Sequence, residues 1–236
     1  MTLPDWQQRT VLLTGKEKSD RYRSSHVIIA GAGGVGAYAA EMLCRAGIGK
    51  ITIIDSDTVQ PTNINRQLIA LHSTVARKKT DVLSQRLLDI NPDLLIEPKD
   101  LYITEDNIAG LLDASPDFVI DAIDTIAPKC ALITECLRRH IKIISSMGAG
   151  AKKDITKIAY ADINDTYNCG LSKAIRLRLR KAGVKGKLPV VFSSEQADKN
   201  AMLPVNEPNK KSTTGTISYM PATFGCYLAA YVLENI

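Results

Sequence analysis

The hexapeptide Gly31-Ala32-Gly33-Gly34-Val35-Gly36 limits the fold of this chain more than any other feature. It follows HVIIA (26–30), a short apolar run of the kind found in strands buried on both faces. It precedes AYAAEMLCRAG, which reads as a helix closed by Gly47. Strand, glycine turn and helix in this order begin a βαβ unit. The glycines allow a tight turn and close backbone approach, and the helix N-terminus offers unpaired N–H groups and a positive dipole end to a phosphate. Asp55 closes the next apolar run, KITIID (50–55), about 20 residues further on, where a carboxylate accepts ribose hydroxyls. Gly31, Gly33, Gly34, Gly36 and Asp55 are thus candidate nucleotide contacts.

Further strand-like runs at 94–98, 118–121 and 142–146 alternate with helical stretches at 75–90, 104–114 and 128–140. Strands separated by helices give right-handed crossovers and a parallel sheet. The expected fold is therefore α/β: a Rossmann-like, mostly parallel sheet flanked by helices, with a C-terminal extension packing on the same sheet. The expected division is an N-terminal helical arm (1–23), a nucleotide-binding part (24–147) and a substrate or crossover part of the same fold (148–236). Within the last part, 155–160 reads as a strand and 161–215 as irregular. A Pro221 turn precedes a final apolar helix through FGCYLAAYVLENI.

With 236 residues, 45% hydrophobic and 23% charged, the chain can bury a core of its own and is neither disordered nor a disulfide scaffold. Its five cysteines are odd in number and form no CxxC pair, which implies a reduced, cytoplasmic chain without a four-cysteine zinc site. MTLPDWQQRT offers no apolar run for a signal peptide, and no stretch reaches the ~20 apolar residues of a membrane span.

The segment after the second strand separates nucleotide classes. Asp57, Asn63, Arg66 and Gln67 lie in DSDTVQPTNINRQ, and Lys79 in ARKK. A dinucleotide pyrophosphate is held mainly by backbone and helix dipole, whereas added cations here suit the outer phosphates of a triphosphate. Taken singly, Arg66 also reads as a surface arginine and Lys79 as a solvated residue at a helix start. Asp124, in VIDAIDT, falls at the carboxyl edge of the sheet, where it can hold Mg²⁺ or cap the next helix.

The run GAGGVG, IDSDTVQPTNINRQ, Lys79 and VIDAIDT resembles the ubiquitin-activating and molybdopterin-synthase adenylyltransferase (ThiF-like) superfamily. That resemblance implies ATP and Mg²⁺ as ligands and activation of a carboxylate as its acyl-adenylate. Asp55 would take the ribose; Asn63, Arg66 and Lys79 the phosphates; Asp124 the Mg²⁺; Asp57 and Gln67 would line the site. Arg9, in QQRTVLLTG, would reach the ATP of the partner subunit in a homodimer; it also reads as an ordinary surface arginine.

Within the superfamily, SSMGAGAKKDITKIAYADI (145–163), VVFSSE (190–195) and SYMPATFG (218–225) resemble the tRNA threonylcarbamoyladenosine dehydratases, although relatives usually have Pro where Ile155 stands. The implied activity is ATP-dependent cyclisation of threonylcarbamoyladenosine in tRNA, with auxiliary sulfur-transfer proteins as further partners. The alternative is an adenylyltransferase acting on the C-terminus of a ubiquitin-like sulfur carrier. That branch usually has two CxxC zinc pairs, absent here, and a thiol in the region of Cys169. An NAD-dependent oxidoreductase or a nucleotide-sensing module is more remote, and Arg66, Lys79 and Asp124 speak against the oxidoreductase.

The whole chain carries a formal net charge of +5, yet 171–190 alone has seven positive and no negative residues. Arg176, Arg178, Arg180, Lys181, Lys185 and Lys187 are candidate tRNA-phosphate contacts. The alternation of arginines with Leu177 and Leu179 does not read as helical amphipathicity. No histidine has a neighbour set suggesting catalysis or metal binding.

Overall fold

The computed structural model of the chain describes residues 4–207 and 210–236, with side chains described outside 204–212. The first three residues of the expected N-terminal arm lie outside them. Helices α1 (Gln8–Thr14) and α2 (Lys16–Ser24) lead into β1 (His26–Ala30), and α3 (Gly36–Ala46) returns the chain to β2 (Lys50–Ile54). Then come α4 (Lys79–Ile90), β3 (Leu95–Lys99), α5 (Ile108–Leu112), β4 (Phe118–Asp121), α6 (Ile126–Arg138) and β5 (Ile143–Ser146). The remainder contributes β6 (Ile158–Asp162), α7 (Gly170–Lys181), β7 (Pro189–Ser193), the paired strands β8 (Met202–Glu207) and β9 (Lys210–Thr214), and α8 (Tyr219–Asn235).

Seven strands form one sheet in the order β3-β2-β1-β4-β5-β7-β6. All pairs are parallel except β6 on β7 at one edge. This is the expected Rossmann-like α/β architecture. Because the winding reverses between β1 and β4, a crevice opens there at the carboxyl edge, the usual ligand position in open α/β sheets. β1 is buried along its whole length and alternates between two cores. Val27 and Ile29 pack with residues of α3, α4 and α8. Ile28 and Ala30 pack with α6 and α7.

Four expectations need correction. α4 starts at Lys79, not at 75, because residues 76–79 first pair with 57–59: the Ala76 N–H donates to the Val59 carbonyl (2.9 Å), Val59 N–H to Arg77 (2.8 Å) and Lys79 N–H to Asp57 (3.0 Å). Ala76 also takes a left-handed φ of +68°, which no helix continues through. Ile155–Lys157 is a 3-10 turn, so the strand runs from Ile158. The stretch 161–215 is not irregular: it holds α7, β7 and the β8–β9 pair. Pro221 lies inside the first turn of α8, where its missing N–H has no partner to lose. The expected final helix buries Met220, Phe224, Leu228 and Val232 and packs on α3. No helix among the described residues is long and apolar enough to cross a membrane.

Candidate active site

β1 ends at the carboxyl edge of the sheet, and residues 31–35 turn from it into α3. Gly31 sits at φ +97°, and a Cβ there would stand 2.8 Å from the Ala122 carbonyl oxygen. A Cβ on Gly36 would overlap the carbonyl of Gly31. Only glycine lets the turn close this tightly against the segment following β4.

Asp55, just past β2, is hydrogen-bonded to this turn. Its Oδ2 accepts the Ala32 N–H at 2.7 Å and its Oδ1 the Asp57 N–H at 2.8 Å. Burial pushes the Asp55 carboxyl above its ordinary range, against the opposing pull of Lys79 and the two N–H groups. Lys79, first residue of α4, is only 5% exposed. Its Nζ donates to Asp57 Oδ2 at 2.7 Å and lies 3.9 Å from Asp55 Oδ1. The Asp57 carboxylate is solvent-exposed. A buried ammonium needs an anion; here an exposed carboxylate supplies it, and a ligand phosphate can take its place.

Asn63 and Gln67 are buried, and Arg66 is half-buried. Asn63 Oδ1 accepts the Gln60 N–H at 3.0 Å, fixing the 3-10 turn Pro61–Asn63. Arg66 directs Nη1 at the Thr62 carbonyl (2.9 Å) and Asn65 Oδ1 (2.8 Å), which leaves its remaining N–H donors for a phosphate. Gln67 Oε1 is buried without a hydrogen-bond partner, and its Nε2 lies 3.7 Å from where a Gly33 Cβ would stand. An unpaired buried acceptor costs about 1–3 kcal/mol, which a donor on a bound ligand offsets. The opposite wall is the entry to α8: Asn65 Nδ2 donates to the Thr216 carbonyl at 3.0 Å, and Pro221 packs against Gly34.

Asp124 lies on the exposed connection from β4 to α6. It is not a helix cap, since Thr125 holds that position without a side-chain bond. Its carboxylate makes no hydrogen bond or ion pair among the described residues. They also contain no group of three or more His, Cys, Asp or Glu side chains spaced to hold a metal ion. A divalent ion here would therefore be held as Mg²⁺ usually is, by one carboxylate together with phosphate oxygens.

Arg9 is exposed on α1, beside the outward-facing Leu12 and Leu13, which are 86% and 88% exposed. It makes no side-chain bond to the glycine turn among the described residues. On α7 the apolar positions Leu171, Ile175 and Leu179 recur every four residues, and Ile175 and Leu179 are buried. The segment is thus an amphipathic helix, contrary to the alternating pattern read from its sequence. Arg178, Arg180, Lys181, Lys185 and Lys187 are exposed. Arg176 leaves that row: its guanidinium turns inward to the carbonyls of Ile163 (3.0 Å) and Thr166 (2.9 Å) and the Thr166 hydroxyl.

The fully buried pair Asp121–Lys129 beneath the site escapes sequence reasoning. Cys169 is singled out by the sequence, but its surroundings at the start of α7 are not: there Sγ accepts the Ser172 N–H at 3.5 Å. Burial pushes the Cys169 thiol up, but hydrogen bonds from Ser172 and the Gly148 N–H, with the charge of Lys152, bring it below the ordinary thiol range. By contrast, burial drives Cys44 and Cys136 up to about 12.

The ThiF family model matches residues 7–236. A tRNA threonylcarbamoyladenosine dehydratase of Bacillus subtilis is 44% identical over 187 residues, covering 79% of this chain and 74% of that protein. A crystal structure of Escherichia coli tRNA N6-threonylcarbamoyladenosine dehydratase in complex with ATP superimposes with a TM-score of 0.90 at 36% identity, covering 99% of this chain and 96% of that one. The Escherichia coli molybdopterin-synthase adenylyltransferase is more distant, 31% identical over 80% of this chain and 77% of its own length.

Proposed function

The chain belongs to the ThiF family, and from that premise we propose that it is an ATP-dependent enzyme dehydrating N6-threonylcarbamoyladenosine in tRNA to its cyclic form. The observation that carries this reading is the buried Lys79 ammonium beside a glycine turn, in a chain matching an ATP-bound dehydratase along almost its whole length. The rival reading, activation of a sulfur carrier's C-terminus, would follow the more distant molybdopterin-synthase adenylyltransferase, and the chain has no CxxC pair.

The substrate carboxylate is a poor electrophile because oxide would have to leave. Its oxygen attacks the α-phosphorus of ATP, pyrophosphate departs, and a mixed acyl-phosphate anhydride remains. The adjoining carbamoyl group then attacks the activated carbonyl and AMP leaves with the oxygen, so the nucleoside loses one water. The second step is intramolecular, and effective molarities for such closures reach about 10⁵ M.

The chain's own part is binding and charge stabilisation. Asp55 accepts the ribose hydroxyls, and N–H groups of the glycine turn meet the phosphates. Lys79 and Arg66 stabilise charge developing on the departing pyrophosphate. Asp124 would hold Mg²⁺, which would supply further neutralisation of the phosphate charge.

The exposed Leu12 and Leu13 beside Arg9 suit a two-fold homodimer in which α1 of one protomer reaches its partner's site. The exposed cations of α7 and the loop after it meet tRNA phosphates in the cytoplasm. Sulfur-transfer proteins are a partner class that the chemistry itself does not require, since the ring closes without a thiol. The test is product identity. With threonylcarbamoylated tRNA, ATP should yield AMP and pyrophosphate, and no AMP should form with unmodified tRNA. ADP and phosphate as products would overturn the adenylate step.

A further inference from the structure

Two lysine–aspartate pairs flank the glycine turn, one on each side of β1. On the β2 side Lys79 meets Asp55 and the exposed Asp57. On the β4 side Asp121 and Lys129 are sealed: both side chains are 0% exposed, with Nζ 2.8 Å from Oδ2. Among the described residues this is the one ion pair with both partners fully buried. An apolar pair of similar volume commonly stabilises a core as well or better, so stability alone is a weak account of it.

Its hydrogen bonds indicate what it holds. Asp121 Oδ2 also accepts the Ser145 hydroxyl at 2.6 Å, and Oδ1 accepts the Ile123 N–H at 3.1 Å. Lys129 Nζ donates in addition to the Ile123 carbonyl at 2.9 Å. The backbone of Ile123 is therefore gripped at both its N–H and its C=O. On one side of Ile123, Ala122 places its carbonyl under Gly31 and its Cβ 3.2 Å from where a Gly36 Cβ would stand. On the other side is Asp124.

We propose that Lys129 is a positioning residue for nucleotide binding: with Asp121 it clamps residues 122–124, and so keeps the glycine turn and the Asp124 carboxylate in the geometry that receives ATP. The inference rests on the ATP-binding reading above. It extends that reading to residues that touch no ligand.

The test compares wild type with an Asp121→Asn/Lys129→Met double variant, which removes both charges at similar volume. Calorimetry with ATP and Mg²⁺, without tRNA, is run beside thermal unfolding and a tRNA-affinity control. The double variant should unfold near the wild-type temperature and bind tRNA normally, yet lose at least about tenfold in ATP affinity. A folded double variant with wild-type ATP affinity overturns the proposal. Ser145→Ala, which loosens Asp121 without stranding a charge, decides the matter if the double variant does not fold. It should weaken ATP binding by about two- to fivefold and speed amide exchange at Ile123, and unchanged affinity and exchange overturn the proposal. Wild-type protein that binds no ATP refutes the proposed function instead.

Discussion

Around the glycine turn, charge is held: Asp55 is tied to Ala32 and Asp57, Lys79 is buried against two carboxylates, and Asp121 and Lys129 are sealed below. Along α7 and the loop after it charge is free: Arg178, Lys181, Lys185 and Lys187 stand in solvent with no ion-pair partner among the described residues, and Arg180 has one long bond to Asn164. Under the proposed function, the difference follows from what each region would have to do. Stabilising charge that develops on phosphorus needs donors already fixed in a dry site. Following a polyanion needs mobile cations that exchange counterions for phosphates. Arg176 marks the boundary, since it shares the helix with the free cations but is used to brace the loop at 163–166.

The largest effect should come from the held region. Lys79→Ala should lower turnover by about 10²–10³ while leaving tRNA affinity unchanged, measured by single-turnover kinetics beside a binding assay. A loss of tRNA affinity of the same size would erase the distinction between the two regions. Next, Arg9→Ala and Arg66→Ala should each lose at least about tenfold alone, yet mixing them should restore activity, because a mixed dimer keeps one intact site. No recovery, with subunit exchange confirmed, removes Arg9 from the site.

The free region should respond more mildly and in a salt-dependent way. Arg178→Gln with Arg180→Gln should flatten the log–log dependence of tRNA affinity on salt by about one to two units, at about 0.7–0.9 per phosphate contact, with ATP affinity unchanged. Parallel lines for variant and wild type would leave α7 as ordinary solvated surface.

The smallest effect on turnover belongs to Cys169→Ser, under about threefold, because the carbamoyl group is the nucleophile. A loss beyond about 100-fold, roughly 2.7 kcal/mol in barrier, would restore a thiol mechanism. The same thiol should nevertheless be alkylated before the buried Cys44 and Cys136. Its ionisation lies below the ordinary thiol range while Cys44 and Cys136 are pushed up to about 12, so iodoacetamide near neutral pH should label Cys169 and spare those two.

The nucleotide half was legible because each of its signals is local. A buried parallel strand is a short apolar run, and a turn that tolerates no Cβ must be glycine, as Gly31 and Gly36 illustrate. Asp55 could be placed because strand length fixes where a carboxyl edge falls. The start of α4 is hidden in the sequence because the pairing of 57–59 with 76–79 is a tertiary event. α7 is hidden because arginines between Ile175 and Leu179 mask a four-residue apolar period. Asp121–Lys129 had no local signal at all: its partners come from β4, β5 and α6, and a lysine eight residues from an aspartate looks like any other.

The most direct test of the central claim is to incubate the protein with ATP, Mg²⁺ and threonylcarbamoylated tRNA, digest to nucleosides, and weigh the modified adenosine. The held site is expected to return a nucleoside lighter by one water, formed by wild type and not measurably by Lys79→Ala. An unchanged nucleoside, under conditions where the same protein converts ATP to an adenylate on the C-terminus of a ubiquitin-like carrier, would contradict it.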